Sequence, residues 1–150
     1  MANRIRILLV DDSRAYAHLV IEAIQRTEYD CEIEHVSNGQ DALKRLQINN
    51  NDNEQPGIDL ILTDIHMPKM SGFDLLKEIK SHHRLTNIPV AMLSTNDEHN
   101  AYEISMGYGA DMFMNKPMTF TQLVDMMTEM LRKLIVCRKM TDTTGIQFAI

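Results

Sequence analysis

Short, almost wholly apolar runs that each stop at a polar residue constrain this chain more than any other feature. Residues 4–10 (RIRILLV), 58–64 (IDLILTD), 88–94 (IPVAMLS) and 110–115 (ADMFMN) are of this kind. Their length suits strands, and a strand apolar on both faces belongs in a parallel sheet covered on both sides. Pro89 stands only at the start of its run, where a strand tolerates it. Residues 31–36 (CEIEHV) alternate instead, as an edge strand does.

Amphipathic stretches separate the runs. Ser13 can cap a helix whose one face carries Ala17, Val20, Ile21 and Ile24. Ser37, Asn38 and Gly39 supply turn chemistry before a helix with Ala42, Leu43 and Leu46 inward. Phe73, Leu76 and Ile79 mark the next helix. Ala101, Ile104 and Tyr108 mark a fourth that stops near Gly107 and Gly109. A last helix is predicted over 119–139, with Leu123, Met127, Met130, Leu131 and Leu134 buried. Strand and helix alternate five times. The chain is therefore expected to be α/β: a doubly wound, five-stranded parallel sheet with helices on both faces and right-handed crossovers.

Length and composition narrow the class. A chain of 150 residues suits one domain, which hides roughly 70% of its unfolded surface. No apolar run has the length of a membrane span, so no membrane insertion is expected. MANRIRILLVDDS has no small-residue cleavage site and meets acids at once, so it reads as a strand and not as a signal peptide. A net charge of −6 without a basic block disfavours nucleic acid as a direct partner. Cys31 and Cys137 form no CxxC and are expected as reduced thiols of a cytoplasmic protein. Residues 48–57 (INNNDNEQPG) read as a surface loop, and residues 140–150 as a short tail that frays or docks.

In a doubly wound sheet, ligands bind beyond the carboxyl ends of the strands. The first strand ends in Asp11 and Asp12, the third in Asp64, the fourth in Ser94 and Thr95, the fifth in Lys116 and Pro117. The opposite ends carry no such convergence. A single Asp after a strand is ordinarily a turn or cap residue, and a single Lys is solvated. Three carboxylates in one crevice repel, which raises at least one pKa unless a cation is bound. Oxygen-only ligands in an open site suit Mg²⁺, which ordinarily meets a phosphate. Lys116 would then be a point charge on phosphate oxygens, and Ser94 a hydrogen-bonding partner. Asp64, central in the sheet, is the candidate nucleophile that would become an aspartyl-phosphate.

VDDS, DIHMPKMSG, AMLST and NKPM occur in this order, and together they resemble the receiver domain of two-component response regulators, of the single-domain, CheY-like type. The resemblance covers residues 4–139 or so and implies a flavodoxin-like sheet of order 2-1-3-4-5 within a receiver domain spanning 1–139. It implies that Asp64 is the phosphoacceptor and that Asp12 is the principal acidic Mg²⁺ ligand, with Asp11 acting through water. His66 would complete the metal site through its backbone carbonyl. Ser94 would follow the phosphoryl group, Lys116 would pair with it, and Pro117 would follow a cis bond. Phe113 would be the aromatic switch that turns inward as Ser94 moves. His66 and Asn96 fall at the two variable positions that tune phosphoryl lifetime. Ser71 stands where the family often has an acid before Gly72.

The resemblance implies a sensor histidine kinase or histidine phosphotransfer protein as phosphodonor, and a downstream protein target. The chain would be a monomer or weak dimer that switches partners through its last strand and two flanking helices. It would be no enzyme beyond its own phosphorylation and dephosphorylation. An intermediate carrier in a phosphorelay is one alternative. A phosphatase of the haloacid-dehalogenase type is another, but it needs two acids separated by one residue, whereas Asp11 and Asp12 are adjacent. A binding module that never uses phosphate is a third, and the intact acid set argues against it. His18, His35, His82, His83 and His99 show no ligand spacing and read as solvated or helix-face residues. Met106, Met112, Met114 and Met126 could enrich a partner surface, although Met is ordinary core filling.

Overall fold

A computed structural model describes residues 4–47, 56–95 and 99–144, with the backbone alone for 139–144. The elements alternate throughout: β1 (Ile5–Val10), α1 (Arg14–Gln25), β2 (Cys31–Val36), α2 (Gly39–Leu46), β3 (Leu60–Asp64), α3 (Gly72–Ser81), β4 (Val90–Ser94), α4 (Ala101–Gly107), β5 (Met112–Asn115) and α5 (Phe120–Thr144). The five strands form one sheet of order β2-β1-β3-β4-β5 with every neighbouring pair parallel. This is the doubly wound architecture expected from the alternation, in the order that the resemblance implied.

The two-residue period of a strand divides the core in two. Ile5, Ile7 and Leu9 of β1, Leu60 and Leu62 of β3, and Ala91 and Leu93 of β4 face α1 and α5. Leu8, Val10, Ile61, Val90 and Met92 point the other way, against α2 and α3. β3 and β4 are buried along their whole length, as near-continuous apolar runs require. β2 at the edge is mostly half-buried. Caps fix the helix starts: Ser13, Asn38 and Ser71 accept hydrogen bonds from the backbone N–H of Tyr16, Asp41 and Asp74.

Some local expectations need correction. β3, β4 and β5 begin at Leu60, Val90 and Met112, each two residues later than expected. Asp111 Oδ2 accepts from Val90 N (2.8 Å) and Lys80 Nζ (2.9 Å), while Asp111 N still donates to Val90 O (2.9 Å). α4 buries Ala101 and Ser105, while Ile104 and Tyr108 are exposed. Its N-cap, Asn100, is left-handed (φ 62°) and makes no side-chain capping bond. α5 continues to Thr144, so part of the expected tail is helical. Cys31 and Cys137 are not joined in a disulfide. No helix among the described residues is long and apolar enough to cross a membrane.

Candidate functional site

The strand register brings the chemistry to one end of the sheet. Val10 lies opposite Thr63, Asp64 opposite Leu93, and Ser94 opposite Asn115. One step further along each strand come Asp11 and Lys116. Asp11 is tied in place by its own backbone N–H, which donates to Val36 O (3.1 Å), and by Oδ1, which accepts from Ser13 N (2.8 Å). Lys116 N donates to Ser94 O (2.7 Å), and Ser94 Oγ donates to Thr95 O (2.9 Å). One carboxylate oxygen from each of Asp11, Asp12 and Asp64 falls within 4.8 Å of the others. Lys116 Nζ stands 3.2 Å from Asp64 Oδ1. Asp11 is 1% exposed, Asp64 8% and Ser94 1%, whereas Asp12 is open to solvent.

Burial is the main force on these acids. It pushes the Asp64 carboxyl above the usual range, against the pull of the Lys116 ammonium. Asp11 is raised by burial and by the charges of Asp64 and Asp12, with the Ser13 amide opposing. Asp11 Oδ2 is buried without a partner among the described residues. Among the described residues the cluster is three carboxylates with no sulfur or imidazole in it, and together with a partnerless buried carboxylate oxygen it fits a hard divalent cation. Asp11, Asp12 and Asp64 are the residues that would hold it.

This cluster predicts a pH dependence. Asp11 and Asp64 have folded pKa values above the ordinary 3.8, so the folded state keeps protons that the unfolded chain has released. The stability they supply is full below about pH 4 and is lost as pH climbs through the raised values. Asp11→Asn removes that loss. Without divalent cation it is expected to raise the melting temperature at pH 7 by about 2–4 °C, or about 1 kcal/mol. The gain over the unmodified chain should shrink towards pH 4. Added Mg²⁺ should raise the melting temperature of the unmodified chain more than that of the variant. Melts followed by circular dichroism from pH 4 to pH 7 check both.

Asp11, Asp12, Asp64, Ser94 and Lys116 thus gather as the sequence indicated. His66, two residues past Asp64, is exposed at the rim. Asn96 lies outside the described residues. Phe113 is half-buried on β5 and meets the Tyr102 ring edge-on, with centroids 5.6 Å apart. The expected cis bond before Pro117 is not found: no peptide among the described residues is cis. Trans is the lower-energy X–Pro isomer by about 0.5–1 kcal/mol. The turn after it closes through Met118 N and Thr119 N, which both donate to Gln122 Oε1 (3.1 and 3.2 Å).

Three residues near the site were missed. His35 was expected to be solvated, yet its Nε2 donates to the backbone carbonyl of Asp11 at 2.9 Å. Gly72 N donates to Ile65 O (2.7 Å), bringing α3 hard against the end of β3. The Tyr16 ring lies against Lys116 Nζ at 4.3 Å from its centroid. For Gly72 alone the sequence held a signal, the Ser-Gly pair before an apolar helix pattern.

The fold agrees with comparisons to known proteins. The family model described as the response regulator receiver domain matches residues 7–128, and the chain belongs to that family. It is 32% identical over 143 residues to the two-component response regulator-like PRR37 of Oryza sativa subsp. indica. That match covers 95% of this chain and 18% of the relative, so the chain spans about a fifth of the rice protein. Two solved structures resemble it. The phosphorylated cyanobacterial phytochrome response regulator RcpA superposes with a TM-score of 0.77 at 28% identity, covering 89% of this chain and 95% of that one. The Mn²⁺-bound form of response regulator Rcp1 gives 0.72 at 31% identity, covering 83% and 90%.

Proposed function

We propose that this chain is a phosphorylation switch in which Asp64 accepts a phosphoryl group. The observation that carries the reading is the Asp64 carboxylate, held 3.2 Å from the Lys116 ammonium at the edge of an all-oxygen acid cluster. A carboxylate oxygen of Asp64 attacks phosphorus in line. The P–N bond of a phosphohistidine, or the P–O bond of a small acyl phosphate, breaks as the O–P bond forms. The leaving imidazole or carboxylate takes the electron pair. Positioning and charge stabilisation supply the rate. Lys116 shifts its charge from the carboxylate to a phosphoryl oxygen, and the Ser94 hydroxyl turns from Thr95 O to another. A bound divalent cation, by its donor set Mg²⁺, supplies positive charge that offsets the acids and the phosphoryl oxygens. The bound Mn²⁺ of Rcp1 and the phosphorylated state of RcpA support this reading.

The product carries a charge of about −2 in a buried site. Movement of Ser94 towards it opens space that Phe113 can fill from β5, which shifts the population between two packings. The face that would register the shift holds a groove of about 410 Å³ between α4, β5 and α5. Met106, Met112, Met114 and Met126 line it, an adaptable apolar surface for a protein target. The donor is a histidine kinase or phosphotransfer protein. The chain turns over no substrate beyond its own acyl phosphate.

Incubation with Mg²⁺ and acetyl phosphate should add a single phosphoryl group by intact mass. Borohydride reduction should then convert residue 64, and no other acid, to homoserine in the peptide map. Uptake at a different residue, or none, overturns the reading.

A further inference from the structure

Lys116 needs more than its partner carboxylate to be held in place. Its charge sits on a flexible four-carbon stem, and a single carboxylate does not fix an ammonium in direction. Among the described residues Nζ meets Asp64 Oδ1 at 3.2 Å and the Tyr16 ring at 4.3 Å from its centre. The ring face carries negative charge density, so a cation over it is attracted, and more strongly where water is scarce. The Lys116 side chain is only 18% exposed. The ring in turn is fixed from behind. Tyr16 stands in the first turn of α1, its N–H bound to the Ser13 cap (3.2 Å), and its ring packs on the core between α1 and α5. No hydrogen bond from its hydroxyl accounts for the ring's place, because that oxygen is buried without a partner among the described residues.

We propose that Tyr16 is a positioning residue of the phosphoryl site, holding the Lys116 ammonium against Asp64 through its ring face. The role rests on the reading of Asp64 as phosphoacceptor and adds a residue to it. The ammonium must be in place before phosphorus arrives, and it must not follow the carboxylate alone as charge moves onto the phosphoryl oxygens. A ring beneath it lets it turn from Asp64 to the phosphoryl group without leaving its seat. The hydroxyl stays a neutral phenol throughout: burial first, then the charges of Asp11 and Asp64, push its ionisation up to about 12. No negative charge therefore appears on Tyr16 to compete for the lysine.

The test compares Tyr16→Leu, Tyr16→Phe and Lys116→Met in the full chain. The first readout uses isotope-labelled lysine without any phosphodonor. The Lys116 methylene protons next to Nζ should be shifted upfield by the ring in the unmodified chain and in Tyr16→Phe, and should return to ordinary values in Tyr16→Leu. The second is the rate of phosphoryl uptake from acetyl phosphate at saturating Mg²⁺. Tyr16→Leu should slow it about three- to tenfold, Tyr16→Phe should recover most of the rate, and Tyr16→Leu should add no further loss to Lys116→Met. Packing loss alone would slow the double variant further and would overturn the proposal. Equal rates in Tyr16→Leu and the unmodified chain, or unshifted lysine protons in the latter, overturn it while Asp64 stands. No uptake by the unmodified chain overturns the Asp64 reading and Tyr16's role with it.

Discussion

Asp64→Asn is expected to abolish phosphoryl uptake from acetyl phosphate and still to fold. An amide keeps the carboxylate's shape and volume, so the packing around the fully buried β3 is undisturbed. It has no oxygen charge with which to attack phosphorus. The change also removes one of three acids whose ligand oxygens lie within 4.8 Å, so the variant should melt no lower than the unmodified chain when divalent cation is absent. Lys116→Met separates the proposed nucleophile, Asp64, from its nearest positive charge. It leaves Asp64 able to attack but without the nearest positive charge, and uptake should fall by about two orders of magnitude instead of vanishing. Uptake followed by intact mass, with melts on the same samples, distinguishes a chemical loss from a folding one. Residual single phosphorylation of Asp64→Asn at the unmodified rate would place the acceptor elsewhere.

The parts of this site that could be read from sequence are those whose positions follow from strand ends. A run such as IDLILTD fixes both its own burial and the place of its last residue, because a fully buried strand can carry a carboxylate only where it leaves the sheet. Asp11, Asp64, Ser94 and Lys116 were legible for that reason. Features made by side chains reaching across the fold were not. Tyr16 meets Lys116 from another helix, and nothing in RAYAH marks the ring's direction. His35 read as a solvated residue, and no local pattern marks the contact of its ring with the Asp11 carbonyl. The α4 stripe misled for a different cause: a seven-residue helix with no side-chain capping bond buries only the small side chains of Ala101 and Ser105. Its larger apolar residues are left to the surface, where Tyr102 meets Phe113. At the start of β5 the Asp111 carboxylate takes the Val90 N–H, a side-chain contact that the run ADMFMN does not mark.

Gly72→Ala is expected to be the most damaging single methyl group that can be added near the site. A Cβ at this position would lie 2.2 Å from the Asp64 carbonyl oxygen, 2.9 Å from Ile65 Cα and 3.0 Å from the Asp64 carbonyl carbon. All three are backbone atoms, so no side chain can swing aside. Either α3 lifts from the end of β3 or Asp64 itself moves. Lifting α3 breaks the Gly72 N to Ile65 O bond (2.7 Å) and loosens Leu75, Leu76 and Ile79, which are fully buried. Helix propensity and unfolded-chain entropy, which are largely the same contribution, together favour alanine by about 1 kcal/mol. The clash must exceed them, and a net loss of about 3 kcal/mol is expected from overpacking against rigid atoms. Ser71→Ala is the proper comparison. It removes only the cap on Asp74 N (3.1 Å) and should cost about 1 kcal/mol. Urea unfolding of the two variants measures the difference, and a Gly72→Ala loss no larger than that of Ser71→Ala would mean that α3 does not abut β3 so closely. Phosphoryl uptake should fall in Gly72→Ala even where the chain remains folded, because the displaced peptide is that of Asp64, the proposed phosphoacceptor.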